Sequence, residues 1–326
     1  MCEERSVLLK RDDYTPSIQA YLENLIDYAG LFPPANLSLE TAIHNFVDYQ
    51  NDKDAWMLGR FIIPAARLKE LVPYLSLFSK EKRLELAVVG QRSTDEASCL
   101  NNLRADLERC SEFLDEFKEV VQINVFEMPL PPLIPSHLFL EAIAAEARKH
   151  HVQLFCELTF PLNEGWEQKV EESLRQIASH NETSSLVIGL KLRTGGVTAD
   201  AFPTPEQVAK VLIGCSEREI PQKFTAGLHH PIRMHRQEVN THMHGFINIF
   251  TASMLARIYQ PSFETLIEIL SDEEPTSFKF LEDGIEWKGT VVNYSEIKRL
   301  RQGMVYSYGS CSFDEPREDL RSLQLI

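Results

Sequence analysis

Two lysines and one glutamate fall on neighbouring apolar segments, in a pattern suited to carbonyl chemistry. Lys191 lies in GLKLRTGG, Lys223 begins KFTAGLH, and Glu157 lies in FCELT. A lysine amine attacks carbonyl groups when burial or a neighbouring cation lowers its pKa. Because two lysines and Arg193 repel one another when protonated, we expect Lys191 to have a depressed pKa and to form a Schiff base. That expectation holds if Glu157 pairs with Lys223, whereas pairing with Lys191 would indicate different chemistry.

Strand alternation predicts where these side chains point. Successive side chains of a β-strand point to opposite faces, so Leu190 and Leu192 share an apolar face while Lys191 and Arg193 share the other. The same rule gives further inward-facing residues on neighbouring strands: Glu157, Lys223, Thr225, Gly227, His229, Gln122 and Asn124, with Asp27 and Arg60 as weaker cases. We predict that the charged members converge in one pocket for a small anionic substrate. The alternative is a set of buried ion pairs that fills the interior, since buried charges must be paired.

The segments that carry these residues alternate with helix-like stretches. Ser38 before LETAIHNF and Thr204 before PEQVAKVLIG mark two helix starts. Eight parallel strands alternating with helices predict an α/β fold, a (β/α)₈ TIM barrel with its active site at the carboxyl ends of the strands. A doubly wound open sheet is the alternative, although the first apolar segment is not followed by GxGxxG. The eight predicted strands are 25–32, 56–63, 84–90, 120–126, 152–160, 186–193, 223–229 and 244–250.

Two extensions flank the predicted barrel. Residues 1–24 contain an extra helix beginning after Thr15, with Pro16 at its first position, and the barrel is expected over 25–270. Residues 271–326 contain Asp283-Gly284 between two apolar-patterned arms, which predicts a hairpin over 278–289. Helices follow the hairpin, and we expect this whole segment to pack on the outside of the barrel.

From the fifth strand onward, the chain resembles class I aldolases of the deoxyribose-phosphate aldolase type. That family has a glutamate closing strand five, KTSTG on strand six, KPAGG on strand seven and a GAS turn after strand eight. This chain has FCELT around Glu157, KLRTGG from Lys191, KFTAGLH from Lys223 and FTASML from Phe250. The resemblance implies a lyase that needs no cofactor, with Lys191 as the Schiff-base lysine and Lys223 as the lysine that tunes it. It also implies a phosphate cradle, since glycine turns present N–H groups to anions: Gly195, Gly196, Gly227 and Ser253.

The resemblance covers the last third to half of the barrel, and the chain departs from it at three places. Arg193 stands where the family has a serine, and His229 where it has an arginine. The family's proton-transferring aspartate has no clear counterpart, because Gln122, Asn124 and Glu127 occupy that region. The substrate class is therefore left as a small phosphorylated or carboxylated carbonyl compound, which Arg193, Thr225 and Asn124 would help to bind and His229 would help to protonate.

Two other functions remain open. A metal-dependent barrel enzyme would use Glu127, Glu157 and histidines of HHPIRMHRQEVNTHMH, residues 229–244, where His242 and His244 form a His-x-His pair. We nevertheless predict no metal, because His242 and His244 precede the predicted eighth strand, away from the active rim. A barrel that binds anions without catalysis is the other alternative. Cys311, in GSCSFDEP, is interpreted as a structural thiol because no strand-to-helix turn is predicted before it.

Composition excludes several classes of partner. The formal net charge of -15 argues against a general attraction to nucleic acid or to anionic membranes. No stretch reaches the roughly 18 apolar residues of a membrane span, and the start MCEERSVLLKRDD lacks the apolar core of a signal peptide. The six scattered cysteines contain no CxxC pair, which predicts reduced thiols and a cytoplasmic protein. Homo-oligomer formation stays open.

Overall fold

Eight parallel strands close a barrel in the computed structural model, which describes residues 14–326. Around the barrel the strands neighbour one another in the order β1, β13, β7, β6, β5, β4, β3, β2, and β2 returns to β1. The predicted α/β barrel is confirmed. Its strands are β1 (Ile26–Tyr28), β2 (Leu58–Pro64), β3 (Leu84–Val89), β4 (Val121–Pro129), β5 (Gln153–Glu157), β6 (Gly189–Arg193), β7 (Gln222–Thr225) and β13 (Val305–Ser310).

Helices cover the outside of the barrel. Side-chain oxygens of Ser38, Asp95, Ser136 and Thr204 accept hydrogen bonds from backbone N–H groups in the first turns of α2, α3, α4 and α6, so these four starts are capped as expected for such residues. The connection from β2 to β3 is a 3₁₀ segment, Ala65–Leu77. The helices are α1 (Pro16–Leu22), α2 (Leu39–Asn51), α3 (Glu96–Phe117), α4 (His137–Lys149), α5 (Trp166–Thr183), α6 (Pro205–Glu217), α7 (Phe246–Tyr259), α8 (Phe263–Ser271), α9 (Tyr294–Gly303) and α10 (Asp314–Ser322).

The predicted eighth strand, 244–250, is wrong. These residues enter helix α7, in which every side chain from Phe246 to Ala256 is buried. A helix buried on all sides shows an unbroken apolar run, and a short run of that kind cannot be distinguished from a buried strand by its period. The strand that closes the barrel is β13, which lies within the segment predicted to pack outside it.

Small sheets decorate the barrel. The hairpin predicted at 278–289 is confirmed and belongs to a three-stranded antiparallel sheet of β10 (Phe278–Leu281), β11 (Gly284–Trp287) and β12 (Thr290–Asn293). Helix α1 reaches this sheet through Ser17, whose hydroxyl donates to the carbonyl of Leu281. A two-stranded ribbon, β8 (Met234–Arg236) and β9 (Thr241–Met243), follows the loop after β7.

The interior of the barrel holds an apolar cluster and a set of charged side chains. Ala29, Ile62, Ala87, Val125 and Phe155 form a compact apolar cluster distinct from the core between strands and helices. Charged side chains extend from the middle of the barrel to the carboxyl ends of the strands, the end where barrel enzymes carry their active sites. Among the helices of residues 14–326, none is both long and apolar enough to cross a membrane.

Candidate active site

A row of alternating charges runs from the middle of the barrel interior to its carboxyl end. Asp27 of β1, Lys223 of β7, Glu127 of β4, Lys191 of β6 and Glu157 of β5 follow one another in ion-pair contact, and each is at most 6% exposed. Buried charges persist only when paired, and alternation gives each member an opposite neighbour. The row is defined by these five residues and is called the charged row below.

Lys223 and Asp27 form the most deeply buried end of the charged row. The Lys223 ammonium donates to Asp27 Oδ2 and, at 2.9 Å, to the hydroxyl of Ser307, which itself donates to Asp27 Oδ2 at 2.7 Å. The backbone N–H of Arg60 donates to the other carboxylate oxygen at 2.6 Å. Burial alone would raise the pKa of Asp27, but Lys223 and Arg60 outweigh it and lower that pKa.

Glu127 joins the two lysines. Its Oε1 lies 3.3 Å from Lys223 Nζ and its Oε2 lies 2.7 Å from Lys191 Nζ. Both oxygens are within ion-pair distance of an ammonium group that rotates freely about its Cε–Nζ bond. Glu127 therefore holds both lysines by charge, with lone pairs available to a proton.

Lys191 is held in its protonated form. Its Nζ contacts Glu127 Oε2 at 2.7 Å and Glu157 Oε2 at 2.9 Å. Burial alone would lower the pKa of Lys191, but the two carboxylates outweigh it and raise that pKa. Burial likewise opposes the charge of Glu157, yet Lys191 and Arg193 bring its pKa down to about 2. The expected depressed pKa of Lys191 is wrong, because Glu157 pairs with Lys191 and not with Lys223.

Two arginines stand at the open end of the charged row. Arg193 Nε lies 3.3 Å from Glu157 Oε1, and Arg92 Nη2 lies 3.8 Å from the same oxygen. Their side chains are 44% and 68% exposed. Both arginines, Lys191 and Glu157 line a cavity of about 310 Å³ whose opposite wall is apolar and includes Phe160 and Trp166. The cavity therefore joins cationic groups to a buried ammonium–carboxylate pair.

The predicted glycine cradle is tightly packed. A Cβ on Gly195 would lie 2.5 Å from the Phe202 ring and 2.9 Å from the Cα of Gly227, so the loops after β6 and β7 touch there. A Cβ on Gly196 would meet Ala201 at 2.6 Å. Arg193 Nη1 donates to the Gly195 carbonyl at 3.4 Å, which places this turn beside the cation.

Thr225 lies on β7 next to Arg193 in the strand register, with its hydroxyl facing the backbone of Gly309. It is therefore at the same rim as Arg193. The assigned substrate-binding roles of Thr225 and the three glycines stay predictions.

Two predicted binding residues lie away from the cavity. The Ser253 hydroxyl is buried in α7 and donates to Gln222 Oε1 at 2.5 Å, at the amino end of β7. Asn124 accepts a hydrogen bond from Arg60 Nε at 2.9 Å, towards the amino ends of β2 and β4. Ser253 is misplaced because the turn assumed to follow an eighth strand is the middle of a helix.

His229 also stands apart from Lys191. Its Nδ1 lies 3.1 Å from Glu315 Oε2 and 3.8 Å from Cys311 Sγ. Burial opposes the charged ring, but Cys311 and Glu315 outweigh it and raise the pKa of His229 to about 9. The structure thus brings Glu157, Lys191 and Arg193 together, joins Lys223 to them through Glu127, and leaves His229 in a second cluster.

His230 stays beside His229, with its Nδ1 2.5 Å from Asp319 Oδ2 on α10, but two other histidines of 229–244 are engaged elsewhere. The His244 ring is buried beside the Pro203 carbonyl, 2.7 Å from Nε2, and burial lowers the pKa of His244 to about 4. His242 Nε2 contacts Glu273 Oε1 at 3.1 Å. Within residues 14–326, no three side chains of His, Cys, Asp or Glu come together in a way that could hold a metal ion.

Sequence reasoning gave Glu127 no place in the lysine site because of a β-bulge. If side chains alternate regularly along β4 and Gln122 and Asn124 face the interior, Glu127 falls on the outer face of the strand. In the structure Ile123 pairs with Leu86 but Val125 pairs with the next residue, Ala87, so one extra residue shifts the alternation. Glu127 therefore faces the axis. The signal in the sequence is its position in NVFEMP, a carboxylate within an otherwise apolar strand end.

Comparisons with known proteins add little to this geometry. No family model matches the chain, and no curated protein matches it. Among solved structures, it is similar to lysine/ornithine decarboxylase complexed with cadaverine from Vibrio vulnificus, with a TM-score of 0.39 and 12% identity. The match covers 90% of this chain and 58% of the decarboxylase chain, so this chain spans less than two thirds of the decarboxylase's length. At this similarity nothing about that enzyme's reaction transfers to this chain.

Proposed function

We propose that this protein is a lyase-type enzyme that moves a proton next to the carbonyl of a small phosphorylated or carboxylated compound. One observation carries the proposal: the Lys191 ammonium is held between two buried carboxylates and lines a cavity that also contains two exposed arginines. Fixed charges in a water-poor site stabilise charge that develops during a reaction more strongly than solvent does.

The arginines supply the binding step. A carboxylate or phosphate group fits the planar, bidentate donors of Arg193 and Arg92, both of which face Glu157 Oε1. With the anion held there, the adjacent carbonyl oxygen of the substrate reaches the Lys191 ammonium. The cationic Lys191 then stabilises the enolate oxygen that forms when the neighbouring carbon loses a proton.

Glu157 is the proposed proton acceptor. In the free protein Lys191 and Arg193 hold its pKa at about 2, which makes it a weak base. An anion that engages Arg193 neutralises one of these cations, and a carbonyl that takes up the Lys191 hydrogen bond weakens the other. Burial then dominates and raises the pKa of Glu157, so substrate binding itself creates the base.

Proton exchange tests this function directly. The full chain is incubated in D₂O with a panel of small phosphorylated and carboxylated aldehydes and ketones, and deuterium at the α-carbon is followed by NMR. We expect exchange with at least one compound, and a loss of about 10²-fold or more in Lys191→Met and Glu157→Gln. Lys210→Met is the matched control, because Lys210 is an exposed lysine paired with Glu167. No exchange across the panel, or equal exchange in Lys191→Met, contradicts the proposal.

Imine formation at Lys191 is the second candidate, in keeping with the aldolase resemblance. Its support is the register: Lys191 and Lys223 are direct neighbours on β6 and β7, and Glu127 lies between their amines. Transfer of one proton from Lys191 to Glu127 would leave the neutral amine that attacks a carbonyl. Borohydride reduction with the same panel separates the candidates. A mass adduct lost in Lys191→Ala supports the imine, and exchange without an adduct supports the enolate.

A further inference from the structure

A second cluster of reactive groups lies at the same end of the barrel. Cys311 directly follows the last residue of β13, and helix α10 begins three residues later at Asp314. Cys311 therefore occupies a tight turn between a strand and a helix, which the sequence did not predict. Cys311 is partly exposed, whereas Cys99, Cys110, Cys156 and Cys215 are buried.

The turn places Cys311 beside a histidine that is held by a carboxylate. His229 Nδ1 lies 3.8 Å from Cys311 Sγ and 3.1 Å from Glu315 Oε2, so one ring N–H is shared between sulfur and carboxylate. The backbone N–H of Glu315 donates to the Ser312 hydroxyl at 3.1 Å, which fixes the start of α10 against the turn. A nucleophile, an imidazole and a group that orients the imidazole are the parts of an activated thiol.

The electrostatics of the cluster favour a charged imidazole. Because Cys311 and Glu315 outweigh burial, the pKa of His229 rises to about 9, and the ring is an imidazolium at neutral pH. A cation beside a sulfur nucleophile stabilises the negative charge that the sulfur carries when it reacts. Burial has the opposite effect on the enclosed thiols, raising the pKa of Cys99 to about 11 and those of Cys110 and Cys215 to about 12.

A buried hydroxyl adds an unused donor to this region. Tyr308 on β13 is fully buried, and its hydroxyl has no hydrogen-bond partner within residues 14–326. Burial raises the pKa of Tyr308, and the charges of Glu315 and Asp319 raise it further, so the phenol stays protonated.

We propose that Cys311 is a nucleophilic thiol, activated by His229 and Glu315, that hydrogen peroxide oxidises to a sulfenic acid. The thiolate sulfur attacks one peroxide oxygen, a sulfur–oxygen bond forms and the oxygen–oxygen bond breaks. Sulfur loses two electrons and the peroxide gains them. The departing hydroxide takes the proton of the His229 imidazolium and leaves as water, so the products are Cys311 sulfenic acid, water and neutral imidazole.

Peroxide labelling of the intact protein tests this assignment. The full chain is treated with hydrogen peroxide and dimedone at pH 7, and the adduct on each cysteine peptide is quantified by mass spectrometry. We expect Cys311 to react about tenfold faster than N-acetylcysteine under the same conditions, and about tenfold slower in His229→Gln. Glu318→Gln, an exposed change on the same helix, should leave the rate unchanged.

The variants separate activation from mere exposure. His229→Gln leaves the cysteine accessible, so a rate equal to wild type overturns the assignment, as does a wild-type rate no faster than that of N-acetylcysteine. Circular dichroism checks that the variant is folded. If His229→Gln does not fold, Glu315→Gln at pH 8 is the deciding variant. It lowers the pKa of His229 and reduces the imidazolium fraction, so it must slow labelling of Cys311 relative to Glu318→Gln.

Discussion

Glu157 and Lys191 form a buried ion pair on the neighbouring strands β5 and β6, with Oε2 2.9 Å from Nζ. The pair decides what the barrel mouth can do. The pair keeps Lys191 cationic, and it lets Glu157 act as a base only after the cations around it are engaged by a substrate. A cationic lysine favours stabilisation of an enolate over direct attack by an amine. The pair also keeps Glu157 ionised at neutral pH, since its pKa is about 2.

Lys191→Met should destabilise the protein strongly at neutral pH and weakly in acid. The variant leaves Glu127 and Glu157 buried without the cation between them, and removal of one partner from a buried pair costs about 3–5 kcal/mol. In wild type the pKa of Glu157 is depressed, so its contribution is present above its unfolded pKa and is lost as pH falls towards 2. Urea unfolding should therefore show a smaller gap between the two proteins at pH 4 than at pH 7, because acid begins to remove the contribution of Glu157 in wild type and protonates the unpaired carboxylates of the variant.

The control for this change is Lys210→Met, which breaks an exposed pair with Glu167. Its effect should stay below about 1 kcal/mol at both pH values. A loss of stability in Lys191→Met that is the same at pH 7 and pH 4 would mean that packing, not charge, is responsible.

Arg193→Gln should weaken the binding of small carboxylates and phosphate by about tenfold, because it removes a charge-assisted donor from the cavity. NMR titration of the intact protein measures the affinity. Arg175→Gln is the matched control, since Arg175 is an exposed arginine of α5 paired with Glu172 at 2.6 Å. Equal affinity in Arg193→Gln and Arg175→Gln would mean that the anion does not bind in the cavity beside Arg193.

The sequence revealed seven of the barrel strands but not the eighth. Each of those seven has a run of apolar side chains, whereas β13 reads VYSYGS and faces the axis with Ser307 and Gly309. Hydrophobicity cannot identify such a strand. Tertiary contacts define it: Ser307 donates to Asp27 on β1, and Gly309 lies beside Thr225 on β7.

Alternation located the charged side chains correctly wherever the strand was regular. It placed Glu157, Lys191, Arg193 and Lys223 towards the axis, and ion pairs join them there through Glu127. It could not assign partners, because the choice of which lysine meets Glu157 depends on register and side-chain length. The adjacency of His229 to Cys311 was also invisible, since their contact joins loops 82 residues apart in the chain.

Gly195→Ala should destabilise the protein by about 2 kcal/mol through overpacking. The new methyl group would lie 2.5 Å from the Phe202 ring and 2.9 Å from the Cα of Gly227, where the loops after β6 and β7 touch. Gly303→Ala is the matched control, because nothing lies within 4 Å of the added carbon, and it should be neutral or slightly stabilising. Urea unfolding measures both. Similar stabilities would show that the two loops can separate without cost.

The cluster of His229 should make stability fall as the solution becomes alkaline. The pKa of His229 is raised to about 9 in the folded protein, above an unfolded value near 6.5. A raised pKa gives a contribution that is fully present below about pH 6.5 and is lost as pH rises through about 9, worth about 2 kcal/mol after allowing for partial exposure. His229→Gln lacks that contribution, so its stability should be lower than wild type at pH 6.5 and approach it at pH 9.5.

His151→Asn, an exposed change in the turn before β5, should follow the wild-type profile. Urea unfolding across this range measures the slope, and a constant gap between wild type and His229→Gln would mean that the ring stabilises α10 by contact alone and carries no charge at neutral pH.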